Sequence, residues 1–550
     1  MTNVLLVFPS FNPNSFWSFR GACEVWGAHW PAPPLGLITV AALLPQSWIC
    51  RLVDRNSEEL TDEHWAWADL VMTGGMRPQQ PDVISLIERA RALGKPICIG
   101  GPDATSSPHF FADANFLVLG EAENIIDEFV AAWDAGIRTG RFEAAKFQVD
   151  VTKTPVPRYD LLNFKNYLYP GVQFSRGCPF NCEFCDIIEL YGQVPRAKTN
   201  DQILQELDRL YELGHRGHVD FVDDNLIGNK KALKRLLPKL QAWQEQRNYP
   251  FKFSTEASIN LADDAELLMM MRAANFFAVF IGIESPDTKT LLAAQKKQNT
   301  RRALQESIFT IYSAGIFVLA GFIIGFDTDG DEVADAMADC IDATSIPVCM
   351  VGLLTALPNT QLTRRLEGEG RLYPGYDEVL PDHGDQCTGG LNFIPTRPRR
   401  GILEDYKQVL AKVYEPEAFF KRVSKAAQAL KAPARGWSAA PATMTRDLLP
   451  FGRLVWRLLA RDRALIMPVL RCLSTCDLKN LLAIEYVLMM TALYLHLGSF
   501  ASHVIAQLER QIRAIDAGEY DEPSRANMKP TEHVPEKLVD FSEPGHAQAS

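Results

Sequence analysis

A short apolar run followed by a helical stretch is the unit from which most of this chain is built. Five such runs lie in residues 1–140, beginning with "VLLVFP" and ending with "FLVLGE". Short apolar runs of this kind predict buried strands, and strands that alternate with helices predict a parallel sheet. We therefore expect a doubly wound sheet with strands at 4–9, 49–54, 70–75, 97–101 and 116–121, and helices near 35–44, 82–93 and 122–135.

Glycines follow three of these predicted strands. In a doubly wound sheet the carboxyl ends of the strands form the ligand crevice, where glycine lets a flat or anionic ligand approach the backbone. Glycine can equally serve only to form a tight turn, so both interpretations stay open. The candidate cofactor-binding glycines are Gly74, Gly75, Gly100, Gly101 and Gly120.

A second series of six apolar runs predicts a second α/β unit. Residues 141–171 separate the two series and are typical of a linker, because Pro155 and Pro157 prevent regular structure. Six strand–helix units suggest a partial (β/α)6 barrel with its chemistry at the carboxyl ends of the strands. The predicted strands are 172–177, 218–224, 251–258, 278–285, 317–326 and 347–358.

The remainder of the chain is predicted to be helical. The clearest amphipathic pattern indicates one helix over 401–423, and two further apolar helices are expected between 447 and 515. The fold class is therefore α/β, with an N-terminal doubly wound sheet, a central partial barrel and a C-terminal mainly helical region. The expected domains are 1–140, a linker at 141–171, a barrel at 172–375, a helical region at 376–515 and a disordered tail at 516–550.

Composition excludes some classes of function. The net charge of −11 comes without a basic block, which argues against nucleic acid as a partner and favours small molecules. Eleven cysteines in 550 residues are too few for a disulfide framework, so a cytoplasmic location is expected.

Two C-terminal segments leave a membrane role open. Residues 486–506 hold no Asp, Glu, Lys or Arg and could span a bilayer, although the Thr, His, Gly and Ser residues among them favour a buried core helix. Residues 451–471 form a basic amphipathic pattern compatible with peripheral contact with a membrane surface. A solvated charged face on an ordinary helix is the simpler interpretation of its arginines, Arg453, Arg457, Arg461 and Arg463.

Three cysteines in eight positions carry the strongest chemical signal. Cys178, Cys182 and Cys185 have the spacing C-x3-C-x2-C and directly follow the first predicted barrel strand. Three thiolates are one short of the four protein ligands of a structural zinc or an ordinary iron–sulfur site. A [4Fe-4S] cluster held in this way keeps one iron open for a small chelating ligand, to which it can pass one electron. A zinc ion completed by a distant residue and unligated buried thiols are the alternatives.

The sequence "GCPFNCEFCDI" strongly resembles the cluster loop of radical S-adenosylmethionine (SAM) enzymes, including Phe184 before the third cysteine. The six strand–helix units from 172 to 358 are similar to that family's partial barrel. The resemblance implies that the amino and carboxylate groups of SAM bind the open iron. One electron then cleaves SAM to a 5'-deoxyadenosyl radical, which abstracts hydrogen from an unactivated carbon.

The same resemblance implies SAM contacts at the ends of later strands. The segment "FVDDNLIGN" stands where the family binds the SAM amino group, with Asp-Asp-Asn in place of the usual Gly-Gly-Glu. A helix cap or a strand-end hydrogen bond is the alternative role of each carboxylate. The candidate SAM-binding residues are Phe184, Asp223, Asp224, Asn225, Glu256, Ser258, Glu284, Ser285, Gly321 and Gly325.

The N-terminal sheet resembles the cobalamin-binding module of B12-dependent radical SAM enzymes. The segments "GGPDAT" and "LGEAE" match its ligand-loop and final-strand patterns, which adds Glu121 to the glycines above as a cofactor candidate. The Asp-x-His-x-x-Gly signature that supplies a lower histidine ligand to cobalt is absent, and His29 lies well downstream of its place. The resemblance implies cobalamin bound without histidine ligation, and an empty, vestigial module is the alternative.

The whole arrangement is most similar to the radical SAM group with a distinctive C-terminal helical region, which includes hopanoid C-2 methylases. This resemblance implies C-methylation of an unactivated carbon in a hydrophobic small molecule or lipid. It also implies an external electron donor of the flavodoxin or ferredoxin type. Two alternatives remain: radical SAM cyclisation, rearrangement or oxidation without methyl transfer, and an iron–sulfur redox sensor with a degenerate SAM site.

Overall fold

The computed structural model describes residues 2–379, 387–431, 441–477 and 479–520. Most of the segment predicted to be a disordered tail, from residue 521 onward, lies outside the described residues. The expected domain boundaries stay predictions, and the architecture is described here element by element.

The first sheet has six parallel strands in the order β2-β1-β3-β4-β5-β6. It confirms the predicted doubly wound sheet, because Leu5 and Val7 pack into one apolar cluster while Val4 and Leu6 pack into another on the opposite face. Its elements are β1 (Asn3–Phe8), α1 (Arg20–Trp26), α2 (Leu35–Leu43), β2 (Ile49–Asp54), α3 (Asp62–Trp67), β3 (Leu70–Gly74), α4 (Gln80–Ala92), β4 (Ile97–Gly100), α5 (Gly101–Ser106), β5 (Phe116–Leu119), α6 (Ile126–Asp134) and β6 (Gly140–Glu143).

The sixth strand corrects the expectation that residues 141–171 contain no regular structure. β6 pairs with β5 at the edge of the sheet, where Arg141 and Glu143 are exposed. Only Phe142 points into the sheet's core, against Phe116 and Phe129. An edge strand of this kind has no continuous apolar run, and a sequence pattern therefore does not reveal it.

The second sheet forms the partial barrel, with six parallel strands in the order β14-β13-β12-β11-β10-β7, and confirms all six predicted runs. A two-residue antiparallel ribbon, β8 with β9, closes the base of the cysteine loop. The elements are β7 (Gly171–Val172), β8 (Ser175–Arg176), α7 (Ile187–Leu190), β9 (Arg196–Ala197), α8 (Asn200–Glu212), β10 (Gly217–Phe221), α9 (Lys230–Gln246), β11 (Phe251–Glu256), α10 (Ala265–Ala273), β12 (Phe276–Glu284), α11 (Thr288–Ala293), α12 (Leu304–Ser313), β13 (Phe317–Ile324), α13 (Val333–Thr344), β14 (Cys349–Leu353) and α14 (Gln361–Gly368).

Alternate residues of the barrel strands differ in burial. One set is fully buried against the surrounding helices, as Val219, Phe253 and Ile281 are. The other set faces the barrel interior and is open enough to water to define a lumen. The lumen residues are His218, Asp220, Ser254, Glu256, Phe280, Leu319, Ile323 and Met350.

The C-terminal region is helical, as predicted, but its helices are divided differently. The single helix expected over 401–423 is wrong: α15 ends at Val413, and α16 begins at Pro416 with Glu415 as its cap. Proline has no N–H to donate and clashes with the carbonyl four residues before it, so Pro416 favours the start of a new helix over the continuation of α15. Three helices, not two, follow. The elements are α15 (Arg399–Val413), α16 (Pro416–Ala429), α17 (Pro441–Ala460), α18 (Ile466–Thr475) and α19 (Leu481–Asp516).

Helix α19 contains the uncharged segment 486–506 and, among the described residues, is the one helix long and apolar enough to cross a membrane. Most of its apolar positions are buried, including Val487, Ala492 and Leu497. Tyr494 donates its hydroxyl to the Tyr414 carbonyl oxygen at 2.8 Å. This packing fits the predicted buried core helix.

Helix α15 protects the open edge of the barrel sheet. The Tyr406 hydroxyl donates to the Val351 carbonyl oxygen at 2.8 Å, and the Tyr414 hydroxyl donates to the Cys349 carbonyl oxygen at 2.6 Å. Both acceptors belong to the edge strand β14. Side-chain donors thus occupy positions that another strand would otherwise use.

Candidate active site at the cysteine loop

The three cysteines lie together in the loop between β8 and α7. Gly177 has φ +95°, and a Cβ atom there would lie 2.8 Å from the Gly192 carbonyl oxygen, so the turn into the loop requires glycine. Burial is the main cause that raises the pKa of Cys178 and Cys185, and charge on the neighbouring thiols raises both further. The fold therefore gathers the three predicted ligands.

Among the described residues, no three His, Cys, Asp or Glu side chains are close enough to hold a single metal ion. A [4Fe-4S] cluster needs a wider arrangement, because each of three irons takes a thiolate of its own. The donor set of three thiols near one another, with no fourth cysteine in the loop, fits such a cluster with one open iron.

Two side-chain amides lie against the thiols. Asn225 Nδ2 is 3.7 Å from Cys178 Sγ, and Gln298 Nε2 is 3.7 Å from Cys182 Sγ. Amide donors directed at ligand sulfurs stabilise negative charge on them and tune an iron–sulfur centre. Asn225 was a sequence candidate, whereas Gln298 was missed because it lies 116 residues beyond Cys182.

The two candidate aspartates after β10 have different surroundings. Asp223 accepts from the backbone N–H groups of Phe174 and Ser175, at 2.9 and 2.5 Å, and from the Ser175 hydroxyl at 2.6 Å. Both of its oxygens are thus used to fix the strand that leads into the cysteine loop. Burial raises its pKa to about 7, against these hydrogen bonds. The predicted contact of Asp223 with SAM stays a prediction, and these bonds favour a positioning role.

Asp224 has one carboxylate oxygen without a hydrogen-bond partner among the described residues. The Gly177 backbone hydrogen-bonds this carboxylate, but its Oδ2 is buried and has no hydrogen-bond partner among the described residues. Burial raises the pKa of Asp224 to about 6. An unpartnered buried carboxylate oxygen is costly, which indicates a site for a cationic group beside the cysteine loop.

Asn225, Ser258 and Glu256 continue the site along the strand ends. Asn225 Nδ2 donates to Ser258 Oγ at 3.3 Å, and Ser258 Oγ donates to Asn260 Oδ1 at 2.6 Å. Glu256 is exposed to solvent, yet burial and then the charges of Asp224 and other carboxylates raise its pKa to about 8. A carboxyl group that water reaches while protein surrounds it lines an internal cavity, here the lumen.

Glu284 forms a buried ion pair with Lys296, which sequence reasoning missed. Glu284 has φ +68°, a strained conformation for a residue with a side chain. Burial opposes the charge of Lys296, but Glu284 and then Cys182 outweigh it and raise the lysine pKa. Lys296 Nζ also lies 5.7 Å from the centre of the Phe184 ring, so this pair and the predicted aromatic contact adjoin the cluster loop.

The remaining barrel candidates are placed by the backbone. Ser285 Oγ accepts from the Asp287 N–H at 3.2 Å and so belongs to the turn before α11. A Cβ atom at Gly321 would lie 3.2 Å from the Phe280 ring, on the lumen side of β13. Gly325 has φ +108° and packs against Leu391 of the C-terminal region. Their contacts with SAM stay predictions.

The crevice of the first sheet is built from close backbone approaches. A Cβ atom at Gly74 would lie 2.5 Å from the Gly100 carbonyl oxygen, and Gly101 has φ +90°. Gly75 is likewise crowded by Gln79, and Gly120 has φ +81°. These contacts show that tight turns require the glycines, while ligand binding by them stays a prediction. Two buried atoms at this edge, Thr73 Oγ1 and Arg77 Nε, have no hydrogen-bond partner among the described residues.

Glu121 connects the first sheet to the cysteine loop instead of standing free in the crevice. It accepts from Arg176 Nη1 at 2.9 Å and from Arg196 Nη1 at 2.8 Å, and Glu123 accepts from Arg176 Nη2 at 2.6 Å. Arg176 and Arg196 are the β8 and β9 residues at the base of the loop. This set of four side chains, the clamp, joins the end of β5 to the β8–β9 ribbon. Sequence reasoning missed it because its residues lie far apart along the chain.

A polar chain inside the lumen was also missed. Ser254 Oγ contacts His218 Nε2 at 2.6 Å and donates a hydrogen bond to Asp220. Burial raises the pKa of Asp220 to about 6 and lowers the pKa of His218 well below its usual value, which favours the neutral imidazole. The signal in the sequence was the alternation of polar residues along β10 and β11.

Comparison with known proteins agrees with this geometry. Residues 172–341 match the radical SAM superfamily, and residues 360–510 match a domain of unknown function (DUF4070). The chain is 45% identical to an uncharacterized methyltransferase of Synechocystis over 82% of this chain and 83% of that protein. It is 35% identical to the hopanoid C-2 methylase of Rhodopseudomonas palustris over 88% of this chain and 92% of that protein.

The chain belongs to the radical SAM family, in the group that includes this hopanoid C-2 methylase. A member of this family is an enzyme that uses a [4Fe-4S] cluster and SAM. The radical SAM methyltransferase TsrM from Kitasatospora setae, solved with cobalamin and a [4Fe-4S] cluster bound, has a similar fold, with a TM-score of 0.59 at 16% identity. That likeness covers 82% of this chain and 99% of TsrM.

Proposed function

We propose that this enzyme is a cobalamin-dependent radical SAM C-methyltransferase that acts on an unactivated carbon of a hydrophobic small molecule or lipid. The observation that carries the proposal is the contact between the first sheet and the cysteine loop. A doubly wound sheet with a glycine-built crevice is fixed by the clamp to the base of a three-cysteine loop. When bound, the cluster supplies one electron to cleave SAM, and cobalamin supplies a carrier for a methyl group.

The residues around the loop have complementary roles. Cys178, Cys182 and Cys185 would hold the cluster. The unpartnered Asp224 Oδ2 would bind the SAM ammonium group, because it is the buried anionic acceptor beside Cys178. Lys296 offers a buried cation for a carboxylate, and Glu284 keeps it charged. Asp223 holds the loop in place through Phe174 and Ser175.

The crevice of the first sheet fits a large, flat cofactor without a histidine ligand. His29, the distant candidate, is exposed, and its Nδ1 hydrogen-bonds to the Ser57 carbonyl oxygen at 3.1 Å. The loop after β1 instead carries Phe11, whose ring stacks on Trp30 at 5.5 Å. Thr73 Oγ1 and Arg77 Nε supply unused polar groups at the same edge. Cobalamin would thus be held by shape and by backbone and side-chain hydrogen bonds.

The wall of the lumen formed by β12, β13 and β14 favours an apolar substrate, whereas β10 and β11 line the opposite part with polar residues. Phe280, Leu319, Ile323 and Met350 form the apolar wall, and the Trp17 ring lies 5.4 Å from the Phe280 ring. The 35% identity to a methylase of a hopanoid supports a lipid as the substrate class. We place the enzyme in the cytoplasm, with peripheral access to the membrane.

The required one-electron donor would dock beside Cys182. Gln298, which lies against that thiol, follows the exposed Lys297 directly. Lys289 and Arg301 are exposed on the same segment, and Leu292 is an exposed apolar residue between them. Cations around an apolar centre, on a chain of net charge −11, fit an acidic carrier such as a flavodoxin or ferredoxin.

The experiment uses the reconstituted holoenzyme and a lipid extract from a strain that lacks the gene. We expect about four irons per chain, stoichiometric corrin, and formation of both 5'-deoxyadenosine and S-adenosylhomocysteine together with a methylated lipid. Turnover by corrin-free enzyme would reject the methyl relay through cobalamin, and 5'-deoxyadenosine without S-adenosylhomocysteine would reject methyl transfer. The second outcome would favour a radical rearrangement or oxidation.

A further inference from the structure

Exposed apolar side chains are concentrated in one part of the C-terminal region. Among the described residues, nineteen large hydrophobic side chains are exposed, and eight of them lie between residues 449 and 481. A contiguous exposed apolar area marks an interaction surface, whereas single exposed residues do not. The eight are Leu449, Phe451, Val455, Trp456, Leu459, Met467, Leu470 and Leu481.

Helix α17 is apolar on two sides. Leu454 and Leu458 are buried against the protein. Phe451, Val455 and Leu459 follow one another at four-residue spacing and form a second, exposed apolar face, which Trp456 and Leu449 widen. An ordinary surface helix has one apolar face toward the core and a polar face toward water, whereas no described residue covers the apolar outer face of α17.

Arginines border this apolar face. Arg461 lies 5.8 Å from the centre of the Trp456 ring, and Arg463, two residues further along the chain, is exposed. Arg471 is exposed on α18, close along the chain to Met467 and Leu470, and its guanidinium is paired with Glu417 at 2.8 Å, so Arg461 and Arg463 supply the border's charge. Leu, Phe and Trp flanked by arginine are the composition of helices that lie in the surface layer of a bilayer with anionic lipids.

The surface is connected to the mouth of the lumen. Arg453 Nη1 donates to the Val25 carbonyl oxygen at 3.4 Å, and Arg457 forms an ion pair with Glu24, so α17 packs on α1. The residue Trp17, just before α1, is exposed and lies against Phe280 of the lumen. Helix α17 therefore adjoins, through α1, the segment whose Trp17 ring contacts the lumen.

We propose that the outer faces of α17 and α18 dock this enzyme on an anionic lipid bilayer and present the lumen mouth to the membrane. The docking follows from the exposed residues alone. The further step, in which a lipid substrate enters from the bilayer, rests on the proposed function. Charge complementarity selects an anionic membrane over a neutral one, because the border of the apolar face is cationic.

The test is sedimentation of the full-length holoenzyme with vesicles of phosphatidylcholine alone or with added phosphatidylglycerol. We expect binding to the anionic vesicles, weakened by salt, and a loss of about tenfold or more in partitioning for Trp456→Glu combined with Leu459→Glu. Met269→Glu is the matched control, because Met269 is 66% exposed on α10, far along the chain from this surface. The control should bind as the wild type does.

Two further measurements keep the outcome decisive. Cluster iron content and 5'-deoxyadenosine formation in solution should be unchanged in the double variant, which separates docking from folding and from the radical chemistry. Absence of vesicle binding, or equal binding by the double variant, would overturn the proposal. So would a homodimer in sedimentation velocity that the same substitutions dissociate, since the covering partner would then be a second copy of the chain.

Discussion

The clamp between the first sheet and the base of the cysteine loop predicts a large effect for a small substitution, Glu123→Gln. Glu123 Oε1 accepts from Arg176 Nη2 at 2.6 Å and from Thr154 Oγ1 at 2.9 Å, and the Arg176 and Glu123 side chains are only 11% and 9% exposed. Glutamine keeps the shape and one acceptor oxygen but removes the charge. The guanidinium is then left in a buried site with Glu121 alone, which it must share with Arg196.

The magnitude follows from these contacts. Loss of one partner from an isolated buried ion pair costs about 3–5 kcal/mol. Because Glu121 still faces Arg176 at 2.9 Å, we expect a smaller loss, about 2 kcal/mol, which is typical of one hydrogen bond to a charged group. The measurement is the free energy of unfolding in urea, with unfolding monitored by circular dichroism.

The control is Glu143→Gln, which removes the partner of Arg141 in a pair whose side chains are 46% and 57% exposed. Such a pair contributes about 0.5 kcal/mol. Since Arg176 outweighs the burial of Glu123 and lowers its pKa below the ordinary 4.5, the pair stabilises the fold above that pH. The difference between wild type and Glu123→Gln should therefore shrink as the pH falls below 4.5. A Glu123→Gln loss no larger than that of the control would refute the clamp.

Three other predictions concern the site. Cys182→Ala should abolish iron incorporation and 5'-deoxyadenosine formation, whereas Cys340→Ala on α13 should retain both; product from the first variant would contradict the ligand assignment. Asp224→Asn should weaken SAM binding about tenfold by calorimetry, because it removes the anionic acceptor, while iron content stays normal. Unchanged affinity would exclude Asp224 as the ammonium partner. Lys297→Glu should slow reduction of the cluster by flavodoxin about tenfold at low salt, but should not change its reduction by dithionite. Lys421→Glu is the control. Equal slowing with both reductants would argue against a docking role for Lys297.

The pattern of apolar residues predicted the strands because parallel strands that are buried on both faces consist of short apolar runs. Five strands of the first sheet and six of the barrel follow that rule. The pattern missed β6, where only Phe142 is directed inward. It also predicted one helix across Pro416, where the structure begins a new helix. The cysteine spacing was visible because its residues are adjacent. The Glu284–Lys296 pair and the clamp were not, because the fold alone brings their residues together.

The two tyrosines that cover strand β14 limit how this chain could be recombined. Tyr406 and Tyr414 belong to the helical region, yet they satisfy carbonyl oxygens of the barrel's last strand. In a hybrid with a different C-terminal region, those carbonyl oxygens would be unpaired. The edge strand β14 could then form hydrogen bonds with other chains and aggregate. We therefore expect the barrel and residues 399–414 to be exchanged between proteins only as one unit.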